Sequence, residues 1–246
     1  MSVLRTRPGQ YMAGHSVGIV VLEVGYPIVP GNVANASTFP FPVRYAVVRG
    51  SHPLHRLVRN NDESIYDATL AAARELVQDG VKAIVGACGY FGLFQKRLAA
   101  DLPVPVFSSS LLQVPLLVRA LTPGQKLGVM CADTRGVTPK LFDAVGITPD
   151  MPCVFVGMED KPGFFDAISE GSGVMDNDQV CAEVVERARE MVAEHPDIGM
   201  ILLECSDMPP YAHAVQEATG LPVFDFNSMI NWVHYACVRK AYNGFM

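Results

Sequence analysis

The feature that most constrains this chain is an internal repeat. The segment from Ala73, ARELVQDGVKAIVGACGYFGLFQKRLAADLPVPVF, aligns with the segment from Ala188, AREMVAEHPDIGMILLECSDMPPYAHAVQEATGLPVF. Arg74-Glu75 falls on Arg189-Glu190 115 positions later, and Pro105-Val106-Phe107 falls on Pro222-Val223-Phe224 117 positions later. The two extra residues are absorbed near His195-Pro196. The 246 residues are therefore divided between two related units rather than spread over one unrelated sequence.

Apolar runs bounded by turn residues predict strands at 17–22, 43–48, 82–86 and 104–107, and again at 127–131, 153–157, 198–203 and 221–225. Helical periodicity lies between them. One helix is expected over 64–78, with Ile65, Ala68, Ala72 and Leu76 on one face, and another over 178–194, with Val180, Val184, Ala188 and Met191 on one face. Strands alternating with helices give parallel sheets covered on both sides. The expected fold class is α/β: two pseudo-symmetric lobes, each a four-stranded parallel sheet flanked by helices, with the active site between the lobes. Residues 1–112 would form lobe 1, residues 113–225 lobe 2, and a C-terminal helix at 226–246 would cross back to complete lobe 1. The stretch at 25–42, rich in Pro and Gly, reads as a long loop, which in a compact fold is usually functional.

The repeat also sorts the six cysteines. Cys88 and Cys205 stand 117 positions apart, in register with the repeated Pro-Val-Phe, and no other cysteine has a partner. Each follows an apolar strand and precedes a helix, IVGA-Cys88-GYFG and ILLE-Cys205-SDMPP. Ligands of open parallel sheets bind beyond the carboxyl ends of the strands, and a helix N-terminus is expected to lower a nearby thiol pKa toward working pH. Cys131 also ends a strand and is a minor candidate. Cys153, Cys181 and Cys237 read as core or helix-face residues. Inverting a carbon acid needs a base on one face of the stereocentre and an acid on the other, a geometry that equivalent residues of two facing lobes supply.

With these residues in view, the chain resembles the aspartate/glutamate racemase superfamily, which includes cofactor-independent amino-acid racemases, hydantoin racemases, maleate isomerases and arylmalonate decarboxylases. The likeness covers nearly the whole chain. It implies that Cys88 and Cys205 carry proton transfer, and that no cofactor and no metal are required. It further implies that Asn32, Ser37 and Thr38 after the first strand and Thr134 and Thr138 after the fifth hold a substrate carboxylate, helped by Gly89 and Ser206. Two departures stand out. Where amino-acid racemases commonly have Cys-Asn-Thr and Cys-Thr-His, this chain has Cys88-Gly89-Tyr90 and Cys205-Ser206-Asp207.

The resemblance therefore implies a racemase or epimerase of a small carboxylate-bearing amino acid or cyclic derivative, of the aspartate, glutamate or hydantoin type. One alternative is a maleate-type isomerase in which a single thiolate adds to a double bond. The other is a two-lobed binding protein whose thiols merely pack. Nineteen basic against twenty-five acidic residues, a net charge of −6 and no basic run beyond Arg239-Lys240 argue against nucleic acid. No stretch is apolar enough to predict a membrane span, and the N-terminus shows no secretion signal, so a cytoplasmic address is expected, with free thiols. The expected partner is a small carboxylate, and homo-oligomers are compatible with the sequence.

Weaker motifs carry less. Gly86-x-x-Gly89-x-x-Gly92 departs from the dinucleotide pattern and reads as a tight turn beside Cys88. His52 and His55 with Asp62-Glu63 match no zinc spacing. Ser108-Ser109-Ser110 would serve as a turn and helix cap or touch ligand, Glu23 and Asp133 would cap or assist the thiols, and the segment 159–177 reads as a surface loop or a closing flap.

Overall fold

The computed structural model describes residues 8–50 and 55–246. The strands are β1 (Val17–Leu22), β2 (Val43–Val48), β3 (Ala83–Gly86), β4 (Val106–Phe107), β5 (Lys126–Cys131), β6 (Cys153–Gly157), β7 (Ile198–Leu203) and β8 (Val223–Phe224). The helices among the described residues are α1 (His55–Asn60), α2 (Tyr66–Gln78), α3 (Gln95–Asp101), α4 (Val114–Ala120), α5 (Pro139–Val145), α6 (Pro162–Phe164), α7 (Asn177–Glu194), α8 (Ala212–Thr219) and α9 (Phe226–Cys237). They build two four-stranded sheets, ordered β2-β1-β3-β4 and β6-β5-β7-β8, with parallel pairing throughout. The expected α/β class with two pseudo-symmetric sheets is what the chain forms.

Residue character explains the elements. Every residue of β1 is buried, as a strand covered on both faces requires, so VGIVVL shows no alternation. In α2 the buried face is Thr69, Ala72, Ala73 and Leu76 together with Tyr66 and Leu70. Ile65 and Ala68, expected on that face, are only half-buried. The α7 face is Val180, Val184, Ala188 and Met191 as expected, with Glu183 buried among them. The carboxylate of Glu183 receives the backbone N–H groups of Gly163 (2.9 Å) and Phe164 (2.8 Å), so it ties α7 to the start of the 162–169 helical turn. The segment 159–177 is therefore partly helical rather than a plain loop.

Helix α9 crosses back to the first sheet. Its Phe226, Met229, Ile230 and Val233 are buried against Val17, Ile19, Ala83 and Val85 of β1 and β3. Each such side chain contributes about 1.5–3 kcal/mol as an upper estimate. The crossing starts at a capping box in which the Asp225 side chain accepts the Ser228 N–H at 2.7 Å and the Ser228 hydroxyl lies 2.9 Å from the Asp225 N–H. In the first half Ser109 has the equivalent duty, accepting the N–H of Leu111 at 3.1 Å.

In each sheet the chain leaves the first strand to one side and returns to the other, so β1 and β3, and likewise β5 and β7, flank a switch point where ligands bind beyond the strand ends. Replacing Asp225 with alanine removes the α9 cap, and urea unfolding is expected to show a loss of about 1 kcal/mol.

Candidate active site

Both switch points place a thiol at the same cleft. Beyond β3 the ladder continues through Ala87, whose N–H donates to the Val20 carbonyl at 2.8 Å. The chain then turns at Cys88, which stands at the N-cap of a 3-10 turn over Gly89–Phe94 and whose carbonyl accepts the Phe91 N–H at 3.1 Å. The approach depends on Gly86, because a Cβ there would lie 2.3 Å from the Ser108 carbonyl oxygen. Beyond β7, the Glu204 N–H donates to the Met130 carbonyl at 2.8 Å, and Cys205 follows. The two ends are stitched together across the lobes. Ser206 Oγ donates to the Ala87 carbonyl (3.0 Å), Ser110 Oγ to the Glu204 carbonyl (2.9 Å) and Tyr90 Oη to the Asp133 carbonyl (2.5 Å).

Cys88 and Cys205 line one small cavity of about 50 Å³ with Tyr26, Gly89, Tyr90, Ser206 and the two carboxylic residues Glu204 and Asp207. That volume holds a few water-sized groups. A wider hollow of about 450 Å³ shares Tyr26, Ala87, Ser206 and Asp207 with it. Ile168 and Ser169 of the 159–177 segment form part of the inner wall.

The two carboxyl groups differ in their partners. Asp207 is fully engaged: Asn32 Nδ2 donates to Oδ1 at 2.5 Å, and Tyr26 Oη (3.0 Å) and Cys205 Sγ (3.4 Å) donate to Oδ2. Glu204, with no exposed surface, accepts the Ala132 N–H on Oε2 at 3.3 Å, while its Oε1 has no hydrogen-bond partner. Oε1 fills the place that a side chain at Gly89 would take, 1.6 Å from where a Cβ would stand. Leaving such an atom unpaired costs about 1–3 kcal/mol, so the fold maintains it at some expense. Burial pushes the Glu204 carboxyl up to about 8, with the neighbouring Asp207 adding to the rise and the Ala132 N–H opposing it. Asp207 is also raised, chiefly by burial, against the pull of its three donors.

The thiols reverse one sequence expectation. The Tyr90 and Phe91 N–H groups do lower the Cys88 pKa, but burial raises it by more, and an ionised Glu204 raises it further. Cys205 is likewise raised by burial, Asp207 and Glu204. Desolvation outweighs the helix terminus, so both rest as thiols. Cys131, buried at the end of β5, is raised by the same causes.

The other expected residues are spread more widely. Gly89 and Ser206 line the cavity. Asn32 reaches its edge with its amide committed to Asp207. Ser37 is exposed and bonded to Asn35 at 2.7 Å, and Thr38 closes its own loop by donating to the Asn32 carbonyl at 2.7 Å. Thr134 is held by Glu159, and Thr138 caps α5 and donates to Asn61 at 2.9 Å. These four threonines and serines do not line the thiol cavity, because each hydroxyl is spent on local loop or cap geometry. Ser108 bonds Gln95, while Glu23 accepts the Gly50 N–H and Asp133 caps the turn at 134–136. His52 and the side chain of His55 lie outside the described residues. Among the described residues no cluster of three or more potential metal ligands occurs, and no helix is long and apolar enough to cross a membrane.

Comparison with known proteins gives the site its relatives. No family model matches the chain. A dimethylsulfoniopropionate lyase from Durusdinium sp. clade D is 34% identical over 219 residues, covering 85% of this chain and 71% of that protein. The chain belongs to the dimethylsulfoniopropionate lyase family. Dimethylsulfoniopropionate lyase 3 from Emiliania huxleyi is also 34% identical over 85% of this chain, which spans only 56% of that longer protein. The solved structures that resemble it share the fold alone. They include glutamate racemase from Bacillus anthracis (TM-score 0.59, 15% identity, 91% of this chain and 83% of that one) and allantoin racemase from Pseudomonas fluorescens (0.58, 17%, 91% of each). Unliganded arylmalonate decarboxylase is a third (0.57, 15%, 92% of this chain and 94% of that one). The racemase-like fold expected from the sequence is thus present. The aspartate, glutamate or hydantoin specificity has only these fold neighbours behind it, whereas the sequence relatives are named as lyases.

Sequence reasoning missed Glu204, Tyr26 and the engagement of Asp207. The available signal was a single acidic residue closing the apolar run ILLE directly before Cys205. Because Glu204 titrates near 8 when folded and at an ordinary 4.5 when free, the folded chain holds the extra proton between those values, and stability falls as pH rises through that window. Glu204→Gln removes this slope: in urea unfolding at pH 5 and pH 8, its stability relative to the parent is expected to improve toward the higher pH.

Proposed function

We propose that the chain is a lyase that expels a dialkyl sulfide from a small sulfonium-bearing carboxylate of the dimethylsulfoniopropionate type. The observation that carries this reading is the pairing of two thiols with a buried, incompletely bonded carboxyl group in one cavity, in a chain 34% identical over most of its length to a protein named for that reaction. A substrate that carries a positive charge suits a cavity whose titratable groups are carboxyls, thiols and tyrosine hydroxyls, none of them cationic.

The chemistry balances without a redox partner. A base removes a proton from the carbon next to the carboxylate, the electron pair forms a carbon–carbon double bond, and the carbon–sulfur bond breaks with its pair retained by sulfur. The products are a neutral sulfide, an unsaturated carboxylate and a proton. Cys88 is the base: the N–H groups of Tyr90 and Phe91 favour its thiolate, and the positive charge of the substrate adds to that pull against the burial that keeps the thiol protonated. Cys205, whose proton is shared with Asp207, stands on the wall contributed by the other lobe and donates to the enolate as charge develops. The sulfide leaves as a neutral molecule and needs no acid.

The two-thiol arrangement that would serve racemisation serves elimination as well, so the substrate separates the readings. Purified protein given dimethylsulfoniopropionate is expected to release dimethyl sulfide and acrylate in equal amounts, with serine at Cys88 or Cys205 lowering kcat at least 10²-fold. Aspartate, glutamate and allantoin are expected to show no solvent deuterium at their stereocentres. Deuterium incorporation into one of them, with no sulfide released, would contradict the proposal.

A further inference from the structure

We propose that the unpartnered Oε1 of Glu204, lodged in the space left by Gly89, is the seat of the substrate's onium group. This rests on the lyase reading for the identity of the substrate, but the seat itself stands on geometry. Oε1 comes from the second lobe and lies against the backbone of the first, beside the residue after Cys88. It is fully buried, without a donor, on a residue that lines the thiol cavity. Asp207, the other carboxyl of that cavity, has both oxygens occupied by Asn32, Tyr26 and Cys205, so it offers no comparable vacancy.

An onium ion has no N–H or O–H to donate, and it is held by charge and by close contact with oxygen and aromatic carbon. A single free carboxylate oxygen with Tyr26 and Tyr90 in the same cavity lining provides both. The arrangement also accounts for the departure at position 89. A side chain there, such as the asparagine usual in amino-acid racemases, would occupy the place that Oε1 fills. Glycine at 89 and glutamate at 204 are one feature drawn from two lobes.

Binding would be linked to a proton. The titratable groups that face Glu204 are Cys88 and Tyr90 from lobe 1 and Cys131, Cys205 and Asp207 from lobe 2, none of which supplies a positive charge. The carboxyl, raised to about 8 by burial, is mostly neutral at pH 7 and ionises when an onium ion settles against it. Cation affinity should then rise with pH, by at most about tenfold per unit, and level off above pH 8.

Trimethylsulfonium chloride, which has no carboxylate and cannot be eliminated, tests the seat apart from catalysis. Calorimetric titration at pH 7 in two buffers of different ionisation enthalpy is expected to show one site with release of roughly one proton. Glu204→Gln should weaken binding at pH 8 at least tenfold and abolish the release, in a protein that still unfolds cooperatively. Asp207→Asn should keep the release, and Gly89→Ala should weaken binding at least tenfold with Glu204 intact. Equal affinity in the Glu204→Gln variant, release that follows Asp207 instead, or no binding by the parent protein would overturn the proposal. A protein that binds the probe through Glu204 yet does not cleave dimethylsulfoniopropionate would sink the lyase reading and leave the seat standing. Cleavage that is indifferent to Glu204→Gln would do the reverse.

Discussion

Desolvation of the Glu204 carboxyl at the seam between the lobes governs the rest of the site. The group is carried on the end of β7, bonded through one oxygen to Ala132 beyond β5, and pressed by the other against Gly89 beyond β3. Three strand ends from two sheets therefore meet on one side chain. Its field is among the causes that raise Cys88, Tyr90, Cys131 and Cys205. A charge placed there is strongly opposed by burial, so at pH 7 the carboxyl keeps its proton, and burial, the largest cause at each thiol, keeps the thiols protonated as well. The cavity holds a proton on Glu204 that a cationic guest can release.

The lobes are held in that arrangement by backbone acceptors at the strand ends. Ser206 bonds Ala87, Ser110 bonds Glu204 and Tyr90 bonds Asp133, each across the seam. The long loop at 25–42 adds a fourth tie, with the Val33 N–H donating to the Ser206 carbonyl at 3.3 Å and Asn32 fixing Asp207. At Gly31, in the left-handed region with φ of 96°, a Cβ would sit 2.8 Å from Pro210 Cα, so the loop can dock only through glycine. Hydroxyls and amides that would otherwise bind a carboxylate are spent on this framework, a trade of ligand donors for a fixed cavity.

Much of the fold was legible in the sequence because parallel buried strands leave continuous apolar runs, and the repeat showed which runs correspond. All eight expected strands exist, with ends shifted by two residues or fewer, the largest shifts being at the starts of the short β4 and β8, where each Pro-Val-Phe proline lacks an N–H to extend the pairing although its carbonyl still accepts from Ile84 or Ile201 at 2.9 Å. The cysteine register was legible for the same reason, and both thiols do reach one cavity. Their protonation was not. A helix start can be read from neighbouring residues, whereas desolvation depends on what the other lobe brings, and Glu204 gave no sign in sequence that it would meet Gly89. Hydroxyl side chains misled in the opposite sense: Ser37, Thr38, Thr134 and Thr138 stand in loops that resemble ligand loops, but each satisfies a local backbone or side-chain partner first.

The protonation of Glu204 can be observed directly. Infrared difference spectra of the ligand-free protein recorded from pH 6 to pH 10, with Glu204→Gln as the reference, should contain a protonated carboxyl C=O band that belongs to this residue and disappears with a midpoint near 8. A Glu204 already ionised at pH 6, with no such band in the difference, would contradict the account of the cavity as a neutral, proton-holding site.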